Sequence, residues 1–222
     1  MKNIMKITYT AILMACLSTS SFADASNFNG IYVGVSGNAI GAELDGSYTS
    51  NEGVIDKGTG GKIANTASFD LGYNLGLGSA FFVSFGASYT PGEAKLGKAD
   101  DAADAADINI QADNFYTYYI APAVMVSDNT AVFAKFGQSE ADVQITGDFT
   151  GTSTKSMDGD TISFGSKTVF ASGMYIQSEA GVTDYSTIKV TDVGSANENG
   201  LKGKAQADPS LAFGTLTVGY KF

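Results

Sequence analysis

Hydrophobic and polar positions alternate along much of this chain, and the alternation is strictest in the last residues. The apolar series there consists of Leu216, Val218, Tyr220 and Phe222, and the residues between them are Thr217, Gly219 and Lys221. A period of two indicates a β-strand whose two faces meet different environments. The chain is therefore predicted to end in a strand with one apolar face, and its last residue is a phenylalanine on that face.

Seven further stretches show the same period and are predicted to be strands. They lie at residues 28–40, 63–75, 81–90, 114–126, 132–139, 161–170 and 174–183. Pro122 falls on the apolar face of the fourth stretch. A proline cannot donate a hydrogen bond to a neighbouring strand, so we expect a bulge at that point.

The connections between these strands alternate between long and short. Four long polar connections span residues 43–62, 91–113, 140–160 and 186–209, and three tight turns lie near residues 76–79, 127–130 and 171–173. Strands of about 10 residues match the length that a tilted strand needs to cross a membrane. The pattern predicts an all-β fold: an eight-stranded antiparallel up-and-down transmembrane barrel with four long extracellular loops and three short periplasmic turns.

This arrangement resembles the OmpA/OmpX-like family of small bacterial outer-membrane β-barrels. The resemblance implies that the closing strand, with Leu216, Val218, Tyr220 and Phe222, is part of the signal read by the barrel-assembly machinery. The chain departs from the family signal at Thr217, where a glycine is common. The resemblance further implies a location in the outer membrane, with lipid and lipopolysaccharide as neighbours.

The inward face decides between a membrane barrel and a secreted lipocalin-like barrel that binds an apolar ligand. The face opposite the apolar one carries mainly Gly, Ser, Thr and Asn, which suit a narrow lumen better than a solvent surface. The outward series includes tyrosines suited to interfacial girdles, namely Tyr73, Tyr89, Tyr116, Tyr118 and Tyr220. We therefore favour lipid outside, and the lipocalin-like binder remains the alternative.

The N-terminus has the layout of a secretory signal peptide. Lys2 and Lys6 precede an apolar run at residues 7–17, and small residues, Ser21 and Ala23, precede the predicted cleavage site. Residues 1–23 are thus predicted to be removed, which leaves residues 24–222 as one barrel domain. The sequence around Cys16 also resembles a lipoprotein cleavage box, so lipidation there is a rival interpretation.

The amino-acid composition excludes several kinds of catalytic site and argues against one class of partner. The chain has 13 basic and 23 acidic residues and no His, and each basic residue is a Lys. Without His, Ser-His and Asp-His hydrolase sites are excluded, including those of known outer-membrane proteases and lipases. The net charge of −10 argues against nucleic acid. We predict a protein that is not an enzyme and uses no cofactor.

Four charged residues fall on the inward face in the middle of the predicted barrel, and Lys221 lies on that face near the periplasmic end. The four are Asp70, Lys135, Lys167 and Glu179. Charges persist in a low-dielectric interior when they are paired, so a structural ion-pair network in the lumen is expected. Lys167 and Glu179 lie on adjacent predicted strands and are expected to pair. The alternative is a gate or path for ions.

Acidic runs in the predicted loops raise a further question of metal binding. They comprise Asp100, Asp101, Asp104 and Asp107, and then Asp158 and Asp160. Neither run forms a complete calcium or magnesium loop, so we predict no metal site and interpret both as solvated surface.

The sequence thus predicts a structural or surface-interaction role, with acidic polar loops presented outside the cell to a partner that the sequence does not identify. A narrow channel for ions or small solutes is the alternative function.

The role of the terminal residue is testable. Deleting Phe222 is expected to leave secretion intact and to lower the folded, membrane-embedded fraction sharply, because the assembly signal ends there. The measurement is the heat-modifiable fraction in isolated outer membranes. An unchanged yield of folded protein would show that Phe222 has no such role.

Overall fold

The computed structural model describes residues 25–49, 53, 55–99, 108–147, 151–193 and 203–222. A short 3-10 helix, Ala25–Phe28, precedes nine strands. Their bounds are β1 Gly30–Thr49, β2 Ile55–Gly76, β3 Phe81–Ala99, β4 Ile108–Ser127, β5 Thr130–Gly147, β6 Gly151–Val169, β7 Met174–Tyr185, β8 Ile188–Val193 and β9 Gly203–Lys221.

The strands close into one antiparallel barrel. From β1 to β7 each strand pairs with the next, and β9 pairs with both β7 and β1. Because β7 and β8 pair in succession with the same strand, β9, they occupy one position in the barrel. The prediction of an eight-stranded barrel is therefore confirmed.

The strands are staggered around the barrel axis. Following cross-strand partners once around the barrel from Phe85 leads to Ile63 on β2, ten residues from Tyr73, the direct partner of Phe85 on that strand. Strand number and stagger together set the radius of a barrel. Eight strands leave an interior just wide enough for side chains to fill.

The two faces of the sheet differ as the alternation predicts. Phe69 and Leu71 on the outer face are 55% and 57% exposed, whereas Ser68 and Asp70 beside them are 6% exposed. The closing strand follows the same rule, with Leu216, Val218, Tyr220 and Phe222 on the outer face. An apolar exterior around a polar interior is the arrangement of a membrane barrel and excludes the lipocalin-like alternative. In the described residues, no helix is long and apolar enough to cross a membrane.

The predicted long loops are wrong in extent, because most of their residues form strand. The β1–β2 hairpin, for example, stays paired up to Thr49 and Ile55. Residues 57–63 are exposed on both faces of the sheet, so no period-two pattern marks them as strand. Asp158 and Asp160 lie on β6, and the run containing Asp100, Asp101, Asp104 and Asp107 lies outside the described residues.

The expected bulge at Pro122 is also wrong. Pairing between β4 and β5 has the same register at Ile120 and at Ala123, on either side of the proline. Pro122 keeps its place opposite Val83 on β3. The pairing of β3 with β4 instead has two register shifts, one between Thr90 and Glu93, at Pro91 and Gly92, and one between Lys95 and Gly97.

The barrel divides into two sheets at the end that carries the long hairpins, which we call the hairpin end. Pairing of β2 with β3 stops at Phe69 and Tyr89, and pairing of β6 with β7 stops at Gly159 and Tyr185. Pro91 has no N–H to donate towards β2, and Gly92, with φ 97°, bends β3 at the same place. The first extension sheet is therefore formed by β8, β9, β1 and β2, and the second by β3, β4, β5 and β6.

Candidate functional site

Within the part of the chain that the structure describes, the barrel encloses a lumen, and side chains fill it in layers. At the turn end, opposite the hairpin end, the 3-10 helix lies inside the barrel mouth. Phe28 is completely buried, and its ring stacks on Phe82 at a centroid distance of 4.8 Å. Its carbonyl accepts a hydrogen bond from Asn74 Nδ2 at 2.8 Å, and the N–H of Ala25 donates to the Ser79 carbonyl at 2.7 Å. The helix is thus a plug.

Further hydrogen bonds attach this plug to the rim of the barrel. The Gly76 N–H donates to Asn29 Oδ1 at 2.6 Å, and Asn27 Nδ2 donates to the Asp128 carbonyl at 3.1 Å. Lys221 Nζ donates to the Asn27 carbonyl at 3.3 Å. The plug could not be predicted from the sequence, because Phe28 continues the period of the first predicted strand and residues 25–27 have no periodic pattern.

Charged side chains occupy the middle of the lumen. Lys135 Nζ lies 2.6 Å from Glu179 Oε2 and forms an ion pair with it. Ser163 Oγ donates to Glu179 Oε1 at 2.6 Å, and Gln177 Nε2 donates to Oε2 at 3.1 Å. Glu179 therefore has three donors, which together offset part of the free-energy cost of removing its carboxylate from water.

Asp70 belongs to a separate hydrogen-bonded chain. Tyr119 Oη donates to Asp70 Oδ1 at 2.6 Å and is 2.7 Å from Tyr32 Oη. Lys167 Nζ lies 3.9 Å from the centroid of the Tyr32 ring and 4.7 Å from that of Tyr175. Aromatic faces attract a cation most strongly where water is absent, so the two rings stabilise the buried ammonium group.

The expected pairing of Lys167 with Glu179 is wrong, because Lys135 takes that place. The partner of Lys167 in the register of β6 and β7 is Gln177 rather than Glu179, and the lysine turns towards the tyrosine rings. Lys135 reaches Glu179 from β5, and its Nζ also lies 4.2 Å from the centroid of the Tyr119 ring. Position on adjacent strands was therefore a poor guide to which charges meet.

Glycines on the inward face make room for these tyrosines. A Cβ at Gly34 would collide with Tyr175 Oη, and a Cβ at Gly72 would collide with Tyr32 Oη. The Tyr175 hydroxyl is buried and makes no hydrogen bond within the described residues. The small residues on the inward face, from which a narrow lumen is predicted, thus lie opposite large ones.

Hydroxyl groups form the next layer towards the hairpin end. Thr117, Ser139, Thr161 and Thr183 make a continuous chain across four strands, with oxygen–oxygen distances of 2.7, 2.6 and 2.8 Å. Each hydroxyl can donate to one neighbour and accept from another. The layer therefore links β4, β5, β6 and β7 through their side chains.

Apolar side chains close the lumen at the hairpin end. This extension core, as we call it, contains Ala112, Phe115, Ala141, Val143, Met157, Tyr185, Ile188 and Leu211, with Ile40 and Ala42 packed against it. Its members come from both extension sheets. Burial raises the pKa of the Tyr185 hydroxyl, so this group stays protonated at neutral pH.

Sequence reasoning missed the extension core, since five of its residues, Ala112, Ala141, Val143, Met157 and Ile188, fell in predicted loops. One signal was available: Ala141 and Val143 alternate with Glu140, Asp142 and Gln144.

Little free space remains between these layers. A cavity of about 10 Å³ lies beside Tyr32, Lys135 and Lys167, which is barely the volume that one water molecule requires. The described residues contain no group of three or more His, Cys, Asp or Glu side chains placed to hold a metal ion. The lumen thus has the geometry of a packed interior.

Comparisons with known proteins agree with the barrel. The family model described as outer membrane protein beta-barrel domain matches residues 9–222, whereas no curated protein matches the chain. Among solved structures, the chain is similar to the attachment invasion locus protein Ail of Yersinia pestis, in complex with the heparin analogue sucrose octasulfate (13% identity, 85% of this chain and 99% of that chain covered, TM-score 0.45). It is also similar to Neisserial surface protein A (12% identity, 87% of this chain and 97% of that chain covered, TM-score 0.45). A third similar structure is the outer membrane protease OmpT from Escherichia coli (11% identity, 92% of this chain and 99% of that chain covered, TM-score 0.46). The family match spans every described strand.

A double-mutant cycle tests the ion pair. Glu179→Gln is expected to lower the free energy of unfolding by about 3–5 kcal/mol, because it leaves the buried Lys135 ammonium without its counter-charge. Combining it with Lys135→Met is expected to cost less than the sum of the two single changes. The measurement is urea unfolding in lipid vesicles. The cycle of Glu179→Gln with Lys167→Met is the matched control and is expected to show weaker coupling; stronger coupling there would contradict the geometry.

Proposed function

Because the chain belongs to the outer membrane protein beta-barrel domain family, we propose that it is a non-enzymatic outer-membrane barrel with a structural or surface-interaction role. The filled lumen is the observation that carries this proposal. A plug, an ion-pair layer, a hydroxyl layer and the extension core follow one another along the barrel axis. Such an interior leaves the surface beyond the membrane as the part that can meet other molecules.

The hairpin end is proposed to face the outside of the cell. Small outer-membrane barrels have short periplasmic turns and longer extracellular connections. Strands such as β2, with 22 residues, are also far longer than the roughly 10 residues that cross the hydrocarbon layer. Acidic side chains stand exposed on the outer surface towards this end, at Glu140, Asp158, Asp160 and Asp184. They support the proposal that the exposed part is acidic and polar.

The burial and hydrogen bonding of the two carboxylates in the lumen support the proposal that the protein is not an enzyme. Glu179 and Asp70 each accept hydrogen bonds from neighbouring side chains, and both are less than a tenth exposed. A general acid or base has to reach its substrate. The chain also has no His that could serve instead.

The closing strand supports a role in assembly. The Phe222 N–H donates to the Ile31 carbonyl at 2.9 Å, and the Phe222 ring packs edge-on against Tyr220 at 5.1 Å. The ring is 68% exposed on the outer surface. Before closure, this apolar face is accessible to the barrel-assembly machinery, which we propose reads it. Lipid and lipopolysaccharide are the neighbours of the finished barrel.

Conductance distinguishes this proposal from the channel alternative. The wild-type protein, reconstituted in planar bilayers, is expected to conduct little, because side chains occupy the lumen at every level. Phe28→Ala is expected to remain equally closed, since the extension core still blocks the opposite end. A large and steady wild-type conductance would overturn the closed-lumen proposal and establish a channel.

A further inference from the structure

The pairing of β1 with β9, which we call the seam, joins the first and last strands of the barrel. It runs in one register from Tyr32 and Lys221 to Thr49 and Lys204. The other neighbouring strands of the barrel follow one another along the chain, with only β8 between β7 and β9. Because the entropy cost of closing a loop grows with its length, closing the seam costs more than forming a hairpin. We therefore expect the seam to form last and to open first.

The plug is continuous with β1, one of the two strands of the seam. Asn29 connects the plug to Gly30, the first residue of β1, which has a φ of 120° and so favours glycine. A Cβ at Gly30 would also collide with the carbonyl oxygen of Phe222, the residue that follows β9. The chain therefore passes from the plug into β1 directly beside the end of the other seam strand.

One residue of the plug, Asn27, is attached to two sides of the barrel mouth. On the side of the seam, Lys221 Nζ on β9 donates to the Asn27 carbonyl at 3.3 Å. On the opposite side, Asn27 Nδ2 donates at 3.1 Å to the carbonyl of Asp128, which lies in the turn between β4 and β5. The plug thus spans the mouth from β9 to the β4–β5 turn.

The Phe28 side chain anchors the plug between these two attachments. Its ring stacks on Phe82 of β3 inside the mouth. The Asn74 side chain on β2 donates to the Phe28 carbonyl and accepts a hydrogen bond from Ser84 Oγ on β3 at 2.7 Å. These partners hold the plug to β2 and β3, whereas Lys221 holds it to β9. Opening the seam moves β9 away from β1 and widens the mouth, so it requires that these contacts break.

We propose that the plug docks only after the seam has formed and then holds the seam closed. The surface to which the plug binds is built from β2, β3, the β4–β5 turn and β9. These elements surround one mouth only when β9 has paired with β1. The contacts of the plug therefore form after closure and have to break before the barrel opens. This inference goes beyond the surface role proposed above, because it concerns how the finished barrel stays closed.

Folding and unfolding rates test the order of these events. In urea with lipid vesicles, Phe28→Ala is expected to unfold about tenfold faster than the wild type, because the ring no longer fills the mouth. Its folding rate is expected to stay within about twofold of the wild-type rate, since contacts made after closure do not affect the folding barrier. Phe28→Leu keeps an apolar side chain and is the matched control, expected to unfold at nearly the wild-type rate. Folding of Phe28→Ala slowed by tenfold would overturn the proposal, because the plug would then dock before the seam forms.

Hydrogen exchange identifies which strand pairing the plug holds closed. The Phe222 N–H donates to the Ile31 carbonyl, so every second pair along the seam exchanges hydrogen bonds. In Phe28→Ala, the seam amides near the turn end are expected to exchange about tenfold faster, whereas the amides between β5 and β6 are expected to be unchanged. The seam amides to follow are those of Val33 and Tyr220. Equal acceleration between β5 and β6 would show that the plug adds only general stability and would overturn the proposal.

A disulfide across the seam provides a control within one protein. Ser36 Oγ on β1 and Thr217 Oγ1 on β9 lie 2.8 Å apart, so Ser36→Cys and Thr217→Cys are placed to form this bond. The experiment uses a Cys16→Ser background. With the disulfide intact, adding Phe28→Ala is expected to leave the unfolding rate unchanged, because the bond already holds the seam. After reduction, Phe28→Ala is expected to unfold about tenfold faster. Acceleration that persists with the disulfide intact would contradict a role at the seam.

Lys221→Met tests the attachment of the plug to β9 and leaves the Phe28 ring in place. It removes the donor to the Asn27 carbonyl, and the seam amides are expected to exchange about threefold faster, the effect of losing one hydrogen bond. Unchanged exchange at the seam in this variant would overturn the proposal, even if Phe28→Ala did not fold. None of these results bears on the closed lumen, which conductance measures independently.

Discussion

Closure of eight staggered strands is the constraint on which the rest of this structure depends. In lipid, each backbone N–H and C=O must find a partner inside the protein, and pairing of β9 with β1 removes the last free edge within the barrel. The stagger of ten residues fixes the radius. An interior of that width has no room for a pore unless side chains are missing. The sequence instead supplies tyrosines there, with glycines opposite them.

The interior also has to balance its charge. Among the described residues, Lys135 and Lys167 accompany Asp70 and Glu179 in the lumen, so the formal charges of these four side chains sum to zero. Glu179 accepts hydrogen bonds from a lysine, a serine and a glutamine, and Asp70 accepts one from the Tyr119 hydroxyl. Lys167 lies against the faces of two aromatic rings. Outside the hydrocarbon layer, the need for closure disappears because water can satisfy the backbone. The barrel divides there into two sheets.

The sequence predicted the part of the fold that lipid shapes and missed most of what lies outside it. Between lipid and lumen, Phe69 and Asp70 must face opposite ways, so alternation reveals the strand. Around Thr59 and Lys62 both faces meet water, no alternation survives, and the strand resembles a loop. The alternation of faces identifies which charged residues point into the lumen. Their pairing, however, depends on how far each side chain reaches across the lumen. Phe28 could not be placed in the plug, since only the tertiary structure brings it onto Phe82.

Accessibility of the middle of the lumen tests the closed interior most directly. Ser163 is completely buried beside Glu179, whereas Ser186 is exposed between β7 and β8. In a Cys16→Ser background, Ser163→Cys and Ser186→Cys would each be treated with a charged thiol reagent in lipid vesicles, and the mass of the protein measured. The packed lumen predicts complete labelling at position 186 and none at position 163 until the protein is unfolded. Labelling of folded Ser163→Cys at a rate similar to that of Ser186→Cys would contradict the account.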